Sequence, residues 1–443
     1  MGESTGPAYT EPSVKTYLLL AGRSQRFWPL TEKTLFPVCG KTLLEHQVAR
    51  LRKGGCDAVT LVGGAHNAAE ARSLLPDLPV IEQENLDLGM RGALLNILQR
   101  HEMSEPLMVI GGNDVIDPAG YRALLASDGD GALLAFRVRN YFPGGYLKTN
   151  GNRITGIVEK PGEGKEPSDL VNIVAHVHRD PKALLEALSV QKDDTDDGYE
   201  CALDALFATH DYRAVAYEGH WQPVKYPWQL LGVLELLLSE MHGQSINPTA
   251  VIHPTAVIEG DVVIDEGARV YPHATVRGPA YIGKRSIVAN NALVRDSSVG
   301  DDCVVGFATE VKASILKEHV WTHMNYIGDS VIGGNVSIGG GTLTANFRLD
   351  EAQVQSAVRG EKVATGRQKF GAIVGDDCRI GIRVSINPGI KIGRGCLIGS
   401  TALLTEDIPD DRFIVMKGGV MDVRENARAV PHPKDREGIR KKL

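Results

Sequence analysis

The second half of the chain carries an aliphatic residue at every sixth position. The first run consists of Ile252, Ile258, Ile264, Val270, Val276, Ile282, Val288 and Val294. After a slip of one residue the period resumes at Val299, Val305 and Val311, and it resumes again at Ile332 and Ile338. A final run consists of Val374, Ile380, Ile386, Ile392, Ile398 and Leu404. An α-helix repeats every 3.6 residues and a strand every two, so neither produces a strict period of six.

A period of six predicts a parallel β-helix. Each short strand would point one aliphatic side chain inward and then turn onto the next side of a prism, and successive coils would stack to cover one another. β-Branched residues suit such pleated walls. Glycine often follows the inward residue, as at Gly283 and Gly306. At these places we expect tight corners that need a positive φ.

The six-residue period is interrupted twice, between Lys312 and Ser330 and between Asn346 and Ala372. Insertions in a solenoid become surface loops, and such loops commonly carry function. We therefore expect the chemistry of this half in these two stretches.

The first half predicts an α/β domain. The apolar run Tyr17–Gly22 ends in glycine and indicates a buried strand that leads into a loop, and Lys41–Leu51 has the pattern of a helix. Further strand-like runs are Ala58–Val62, Leu107–Ile110 and Ala132–Phe136. Strands that alternate with helices favour a Rossmann-like parallel sheet, with ligands at the carboxyl ends of the strands.

The β-helical half resembles the hexapeptide-repeat acyltransferases. Its motifs Thr322–Asp329 and Gly341–Asn346 are most similar to the histidine loop and following coil of bifunctional sugar-1-phosphate nucleotidylyltransferase/acetyltransferases of the archaeal type. The resemblance implies left-handed coiling, acetyl-CoA as a co-substrate and a homotrimer with acyl sites between subunits. It makes His323 the general base, a task for which imidazole is suited near neutral pH.

The same resemblance implies the other residues of the acetyl-transfer site. Tyr326 and Asn346 would position an amino-sugar phosphate, with Arg295 and Lys312 at its phosphate. Relatives carry lysines where this chain has Ala352 and Gln355. Residues that could take their place are Lys362, Arg367 and Lys369.

The first half resembles the nucleotidyltransferases that make NDP-sugars, over about Lys15–Glu240. The matching string is Leu-Ala-Gly, an arginine, Pro-Leu, and then Lys33 with Pro-Val-x-Gly-Lys. The resemblance implies that Arg26 and Lys33 hold the triphosphate and that Asp114 binds Mg²⁺. The remaining matches are Ala21 and Gly22 in the phosphate loop, Gly89 under the base, Gly145, Lys160 at the sugar phosphate, and Glu159 and Asn172 at sugar hydroxyls.

Two positions depart from the nucleotidyltransferase pattern. Ser24 stands where relatives have a second glycine in the phosphate loop, and Pro223 stands where they have an aspartate that acts as a second metal ligand. Proline has no side-chain ligand for a metal, so these departures raise the alternative of a domain that binds nucleotides without catalysis.

Composition limits the other function classes. A net charge of −7 argues against a general nucleic-acid binder. The six cysteines lie far apart and indicate reduced core thiols. Neither a signal-peptide core nor an uncharged apolar run of membrane-spanning length is present, which predicts a cytoplasmic protein without membrane partners.

Together these features predict a nucleotidyltransferase-like domain over 14–243, a β-helix over 246–420 and a charged tail over 421–443. The leading interpretation is that the chain joins a sugar-1-phosphate to a nucleoside triphosphate and that its β-helix acetylates an amino-sugar phosphate. Two alternatives stay open: a β-helix that only assembles the oligomer, and a non-catalytic sensor or scaffold for sugar nucleotides.

Overall fold

The computed structural model describes residues 14–191 and 197–440. The described residues form two compact units, one made of the residues up to Arg23 with Leu44–Pro223, and one made of Ser24–Leu43 with the residues that follow Pro223. The domain limits drawn from the sequence stay a prediction, and the end of the predicted tail, residues 441–443, lies outside the described residues.

Strands and helices alternate through the first half, as the sequence predicts. The strands are β1 (Lys15–Leu19), β2 (Pro37–Val38), β3 (Lys41–Thr42), β4 (Val59–Gly63), β5 (Val80–Glu82), β6 (Leu107–Gly111), β7 (Asp114–Ile116), β8 (Gly131–Arg137), β9 (Gly145–Asn150), β10 (Arg153–Glu159), β11 (Leu170–His178), β12 (Tyr212–Tyr217) and β13 (Trp221–Pro223). The helices are α1 (Leu43–Lys53), α2 (Ala68–Leu74), α3 (Gly89–Leu98), α4 (Pro118–Leu125), α5 (Pro181–Ser189), α6 (Gly198–Thr209) and α7 (Leu230–Ser239). Three-residue 3₁₀ turns cover Leu86–Leu88 and Pro227–Gln229.

The first unit is built on a nine-stranded sheet of order β5-β4-β1-β6-β11-β8-β12-β10-β9. Strands β5, β4, β1 and β6 are parallel, whereas β11 runs antiparallel to both β6 and β8, so the sheet is mixed rather than all parallel. The parallel part places Leu19 opposite Gly111. The chain therefore leaves β1 and β6 at the same edge, where the sequence analysis expects ligands.

The second half winds through three walls of short strands. One wall contains β14 (Gln244–Ile246), β17 (Val262–Ile264), β20 (Ala280–Ile282), β23 (Ser298–Val299), β26 (Ile315–Leu316), β28 (Val331–Ile332), β33 (Ile373–Val374) and β36 (Lys391–Ile392). A second contains β15 (Val251–Ile252), β18 (Arg269–Val270), β21 (Ile287–Val288), β24 (Val304–Val305), β29 (Ser337–Ile338), β34 (Arg379–Ile380), β37 (Leu397–Ile398) and β39 (Arg412–Lys417), with β40 (Val420–Glu425) antiparallel at its end. The third contains β16 (Val257–Glu259), β19 (Thr275–Arg277), β22 (Leu293–Arg295), β25 (Glu310–Lys312), β27 (Tyr326–Gly328), β30 (Leu343–Thr344), β35 (Ser385–Ile386) and β38 (Leu403–Leu404). After the last strand come the 3₁₀ turn Pro433–Arg436 and the short helix α8 (Glu437–Arg440).

The six-residue series forms the core of these coils, which confirms the prediction. Its members from Ile264 to Leu404 are each at most 5% exposed and belong to one continuous cluster. In the third wall, Val276 pairs with Val294 and Val294 with Val311, so equivalent side chains stack in register. Ile252 and Ile258 are only partly buried because they belong to the first coil.

The first interruption of the six-residue period is not an inserted loop. The chain completes a coil there through Leu316, Thr322 and Ile327, which are all buried. Trp321 bridges Val304 and Ser337, so the buried Thr322 takes the inward position of that wall. Its hydroxyl donates to the carbonyl of Val304 at 3.1 Å, which compensates for a polar group in the core. The expectation of an insertion was wrong because this coil contains five-residue steps, as from Val311 to Leu316, and has a threonine at one inward position.

The second interruption is an insertion, as predicted. It contains the antiparallel hairpin β31 (Gln355–Val358) and β32 (Glu361–Ala364). Strand β28 pairs directly with β33 across this insertion, so the stack of coils is not interrupted.

The reason for glycine after the inward residues differs from the prediction. The residues with positive φ do not include Gly283 or Gly306. A Cβ at Gly306 would come within 2.0 Å of the Thr322 carbonyl oxygen, and one at Gly283 within 2.5 Å of Gly300. Close packing of successive coils excludes a side chain at these glycines. The residues with positive φ are others, such as Asn291 and Asp302.

The structure also bears on the predictions about the cysteines and about membrane-spanning segments. All six cysteines are free; Cys201 is exposed, so it is not a core thiol. In the described part of the chain, no helix is both long and apolar enough to cross a bilayer.

Candidate functional site

Four residues predicted at the sugar lie on neighbouring strands of the first unit. Gly145 opens β9 and pairs with Glu159, the last residue of β10. Lys160 follows, and its Nζ lies 2.9 Å from Glu159 Oε1. A Cβ on Gly145 would lie 3.0 Å from Glu159 Oε2, so glycine leaves room for that carboxylate. Because Val171 pairs with Tyr146, Asn172 belongs to the same group.

Asp114 sits in the short strand β7 and is 9% exposed. The indole N–H of Trp221 donates to its Oδ1 at 2.7 Å. In the antiparallel pair of β7 and β13, Pro223 lies directly opposite Asp114. Directly opposed residues have Cβ atoms about 5 Å apart, which is the spacing for two carboxylates around one metal. Proline removes the second carboxylate from this place.

These residues do not form a complete metal site by themselves. Among the described residues, no group of three or more His, Cys, Asp or Glu side chains could hold a metal ion. Mg²⁺ usually needs only one or two carboxylates when substrate phosphates and water complete its shell. Asp114 fits that mode of binding.

Ala21 and Gly22 follow β1, and a Cβ on Gly22 would meet no atom within 4 Å. Gly89 begins α3 with φ of 52°, and its carbonyl accepts a hydrogen bond from Gln83 Nε2 at 2.9 Å. Gln83 and Glu84 also line a cleft of about 530 Å³ beside β5. Ala21, Gly22, Arg26, Lys33 and Gly89 are not among the residues that line this cleft.

Arg26 and Lys33 lie in the segment Ser24–Leu43, which belongs to the second compact unit. Arg26 is exposed and Lys33 is buried. Ser24 has φ of 48°, a conformation that glycine adopts without strain. Its hydroxyl oxygen is buried and has no hydrogen-bond partner among the described residues.

Three predicted acetyl-transfer residues are linked to a buried carboxylate that was not predicted, Asp329, and a fourth lies one coil away. Lys312 Nζ lies 2.9 Å from Asp329 Oδ2, and the amide of Asn346 donates to the same oxygen. The Asn346 amide also lies 3.1 Å from the Tyr326 hydroxyl. Arg295 is in register with Lys312 one coil away. We call Lys312, Asp329, Asn346, Tyr326 and Arg295 the Asp329 cluster.

Glu310 is a second acidic residue that the sequence analysis missed. It accepts two hydrogen bonds from the Arg295 guanidinium, the shorter at 2.7 Å. Asp329 ends the histidine-loop motif, so that motif could have identified it. Glu310 gives no such signal, because only the stacking of β22 on β25 brings it to Arg295.

Of the three replacement cations, only Lys369 lies beside the cluster. It bridges to Phe347, the neighbour of Asn346 in the chain, and its Nζ lies 6.0 Å from the Phe347 ring centre. Arg367 forms an ion pair with Glu235, and Lys362 is an exposed residue of β32.

His323 lies in the turn that precedes β27 and has an exposed side chain. Its exposed ring lies 6.4 Å from that of Phe307, and its backbone N–H donates to Asn325 Oδ1. The ring lines a mostly apolar cleft of about 540 Å³ along β29, β34, β37 and β39. Arg295 and Lys312, by contrast, end strands of the next wall.

Two arginines line the cleft that contains His323. Arg436 lies 3.9 Å from the centre of the Trp321 ring. Burial lowers the pKa of Arg436 to about 10, with a further contribution from the positive charge of Arg379. Burial likewise lowers the pKa of Arg379. Two desolvated cations in one apolar cleft favour an anionic group there.

Comparisons with known proteins identify both halves of the chain. The pattern of the MobA-like NTP transferase domain matches residues 16–249, and six bacterial transferase hexapeptide repeats match residues 371–406. The bifunctional sugar-1-phosphate nucleotidylyltransferase/acetyltransferase of Sulfurisphaera tokodaii is 28% identical over 412 residues, which cover 90% of this chain and 99% of the relative.

Two further relatives carry the name bifunctional protein GlmU. The protein from Methanococcus aeolicus is 31% identical over 413 residues, covering 90% of this chain and 97% of its own. The protein from Ralstonia nicotianae is 25% identical over 475 aligned positions, covering 94% and 99%. The chain therefore belongs to the family of bifunctional sugar-1-phosphate nucleotidylyltransferase/acetyltransferases, with a Rossmann-like nucleotidyltransferase domain followed by a left-handed parallel β-helix.

Proposed function

We propose that this protein makes a sugar nucleotide in two chemical steps. Its β-helix transfers an acetyl group from acetyl-CoA to the amine of an amino-sugar-1-phosphate. Its nucleotidyltransferase domain joins a sugar-1-phosphate to the nucleotidyl group of a nucleoside triphosphate and releases pyrophosphate. The observation that carries the proposal is the Asp329 cluster, in which one buried carboxylate holds a lysine and an amide in place.

In nucleotidyl transfer, an oxygen of the sugar phosphate attacks the α-phosphate and pyrophosphate leaves. Such chemistry depends on positioning and on neutralisation of phosphate charge. Arg26 and Lys33 would bind the triphosphate, and backbone N–H groups at Ala21 and Gly22 would approach it. Lys160 would exchange its ion pair with Glu159 for the sugar phosphate. Glu159 and Asn172 would then orient the sugar through its hydroxyls.

Asp114 would hold Mg²⁺ together with phosphate oxygens of the bound nucleotide. When bound, the ion would offset the negative charge of those phosphates. The indole of Trp221 fixes the orientation of the Asp114 carboxylate.

In acetyl transfer, the amine of the sugar attacks the thioester carbonyl of acetyl-CoA. His323 would take the proton that the nitrogen loses, and the CoA thiolate leaves and is protonated. The apolar cleft beside His323 would receive the pantetheine arm, and Arg379 and Arg436 would face its phosphates. Lys312, Arg295 and Lys369 would bind the phosphate of the sugar.

The proposal includes a homotrimer and a cytoplasmic location. His323 lines a cleft along one wall, whereas Arg295 and Lys312 end strands of the next wall, which supports an acyl site completed by a second copy. Packing of β-helices around a threefold axis would place the cleft of one copy beside the cluster of the next. Mass measurement in solution tests this directly, and a monomer with full acetyltransferase activity would contradict it.

The experiment that tests the function uses two variants and two assays. Pyrophosphate release is measured over a panel of nucleoside triphosphates and sugar-1-phosphates, and CoA release over amino-sugar-1-phosphates. His323→Ala should lower acetyl transfer by about 10²- to 10⁴-fold and leave pyrophosphate release within twofold. Asp114→Asn should do the reverse.

The alternatives give different results in these assays. A β-helix that only assembles the oligomer would release no CoA in the wild-type protein. A non-catalytic sensor would release neither product while still binding nucleotides. Relatives with bifunctional names over nearly the whole chain favour the two-activity proposal over both.

A further inference from the structure

A row of four buried aromatic side chains ends at Asn172, a residue of the proposed sugar site. The Tyr212 hydroxyl lies 2.7 Å from His178 Nδ1, and His178 Nε2 lies 2.9 Å from the Tyr199 hydroxyl. Tyr199 in turn lies 2.6 Å from His176 Nδ1, and His176 Nε2 lies 2.9 Å from Asn172 Oδ1. We call these four aromatic residues the His–Tyr chain.

The His–Tyr chain is sealed from solvent. Each of its members is at most 2% exposed. Burial lowers the pKa of His178 to about 3 and that of His176 well below its usual value, so both imidazoles are neutral near pH 7. Burial also raises the pKa of Tyr199 and Tyr212, which keeps both phenols protonated.

Because all four groups are neutral, the hydrogen bonds of the His–Tyr chain can have only one donor-to-acceptor order. Asn172 Oδ1 can only accept, so His176 Nε2 must carry the proton and His176 Nδ1 must accept. Tyr199 then donates to His176 and accepts from His178 Nε2, and His178 Nδ1 accepts from Tyr212. Every hydrogen bond therefore points from Tyr212 towards Asn172.

An irregularity in β11 makes the last hydrogen bond possible. In a regular strand, residues four apart are about 13 Å apart, too far for their side chains to bond. Here Asn172 pairs with Ala135 and His176 pairs with Leu133, so four steps along β11 match two along β8. The bulge halves the separation and brings the two side chains together on one face.

The amide of Asn172 is consequently fixed in one orientation. Its oxygen is occupied by His176, and its Nδ2 makes no hydrogen bond to any other residue in the described ranges. Asn172 is half-buried, in contrast to the sealed His–Tyr chain. The face that it turns away from His176 is thus the donor face.

We infer that the His–Tyr chain is a positioning device that makes Asn172 a hydrogen-bond donor to an oxygen acceptor of the bound sugar. This inference rests on the proposed nucleotidyl transfer and identifies His176 as a positioning residue rather than a catalytic one. An unsupported asparagine could rotate its amide and present either face. A fixed one recognises only an acceptor at that position.

Two substitutions at one position separate positioning from structural support. In His176→Gln the amide nitrogen falls near the place of Nε2 and can still donate to Asn172. In His176→Asn the amide group falls near Nδ1, so its oxygen can accept from Tyr199 but its nitrogen cannot reach Asn172. We expect H176N to raise the KM for sugar-1-phosphate by about three- to tenfold, the effect of one lost hydrogen bond. The KM for the nucleotide should stay within twofold, and H176Q should retain most of the wild-type value.

Controls identify the pair responsible. Combined with Asn172→Ala, H176N should add no further increase in the KM for the sugar phosphate, because the amide to be positioned is gone. The inference is overturned if H176N and H176Q raise that KM equally, or if H176N raises both KM values together in proportion to its loss of thermal stability.

A spectroscopic measurement separates this inference from the proposed function. Nitrogen-15 NMR of the full-length protein with labelled histidine should show the Nε2–H tautomer for both buried imidazoles, with no titration between pH 8 and pH 5. An Nδ1–H signal for His176 would overturn the inference whether or not the protein is active. If the tautomers are as expected and wild-type protein releases no pyrophosphate with any substrate, the proposed function fails instead.

Discussion

Each compact unit buries one carboxylate in its proposed site, and the two carboxylates have different neighbours. Asp329 holds the ammonium of Lys312 at 2.9 Å, so its charge is balanced by the chain itself. Asp114 receives a neutral indole N–H at 2.7 Å and faces Pro223, which supplies no charge. The comparison teaches that one carboxylate organises neighbouring polar side chains through an ion pair with a lysine of the chain. The other is oriented by an indole and lies opposite a proline, which has no side-chain ligand for a metal.

The largest expected effect removes the internally balanced carboxylate. Asp329→Ala leaves Lys312, whose side chain is 15% exposed, without its ion-pair partner. Breaking such a buried pair costs about 3–5 kcal/mol in the free energy of unfolding, because a charge stays buried and uncompensated. Denaturant unfolding measures the loss. Asp350→Ala, which removes an exposed pair with Arg348, is the control and should leave the unfolding midpoint unchanged.

The second expected effect is that acid lowers the stability of the first unit more than that of the β-helix. His176 and His178 have pKa values lowered by burial, His178 to about 3, whereas an unfolded histidine has a pKa of about 6.5. Below pH 6.5 the unfolded chain therefore binds protons that the folded unit does not. Their contribution to stability is complete above pH 6.5 and is lost as the pH falls towards 3, by up to about 1.4 kcal/mol per histidine per pH unit.

Acid should therefore unfold the first unit before the β-helix, whose histidines His253, His273, His319 and His323 are not buried. Thermal unfolding followed by circular dichroism at pH 7.5, 6.5 and 5.5 checks this. A β-helix that unfolds first as the pH falls would contradict the assignment. His178→Gln should make the slope shallower in the first transition only.

A third change makes the two carboxylate sites more alike. Pro223→Asp places a second carboxylate directly opposite Asp114. Without Mg²⁺ the facing like charges should lower the free energy of unfolding by up to about 1 kcal/mol. With Mg²⁺ the variant should gain thermal stability, and the half-saturating Mg²⁺ concentration for pyrophosphate release should fall by about tenfold, equivalent to about 1.4 kcal/mol.

The matched control for that change is Gln222→Asp, one residue earlier on the same strand. Alternate residues of a strand face opposite sides, so this carboxylate points away from Asp114. Equal responses of the two variants to Mg²⁺ would show that net charge, and not the position opposite Asp114, is responsible.

The smallest effect concerns the loop that carries Arg26. Ser24→Gly removes a side chain from a backbone with φ of 48°, which should raise the free energy of unfolding by about 0.5 kcal/mol after the entropy cost of glycine. Denaturant titration measures this change. A clear loss of stability would mean that the buried Ser24 hydroxyl contributes more than its strain costs.

Much of the fold could be predicted because its signals are local. The series from Ile264 to Leu404 specifies the β-helix residue by residue, since each member needs only its place in a six-residue unit. The helix predicted over Lys41–Leu51 appears at Leu43–Lys53, and the strand at Leu107–Ile110 appears with one further residue. The coil through Thr322 was missed for two reasons. Leu316 and Ile327 follow five-residue steps instead of six, and at Thr322 a hydroxyl bonded to the backbone replaces an aliphatic group.

The sites divide in the same way. The family resemblance named Tyr326, Asn346 and Lys312, which the structure brings together around Asp329. The contact of Glu310 with Arg295 is visible only through the stacking of neighbouring coils. Likewise, the sequence shows Pro223 where the resemblance implies an aspartate, but only the pairing of β7 with β13 shows that Pro223 lies opposite Asp114.

By itself, the sequence determined the β-helix, the α/β architecture and the types of residue available for chemistry, because periodicity and motif order act over short distances along the chain. Only the tertiary structure decided which charges are balanced and which donors face which acceptors. The link from Tyr212 to Asn172 shows why: it joins residues from two strands and a helix through a bulge, and such contacts depend on register and burial, which no local pattern encodes.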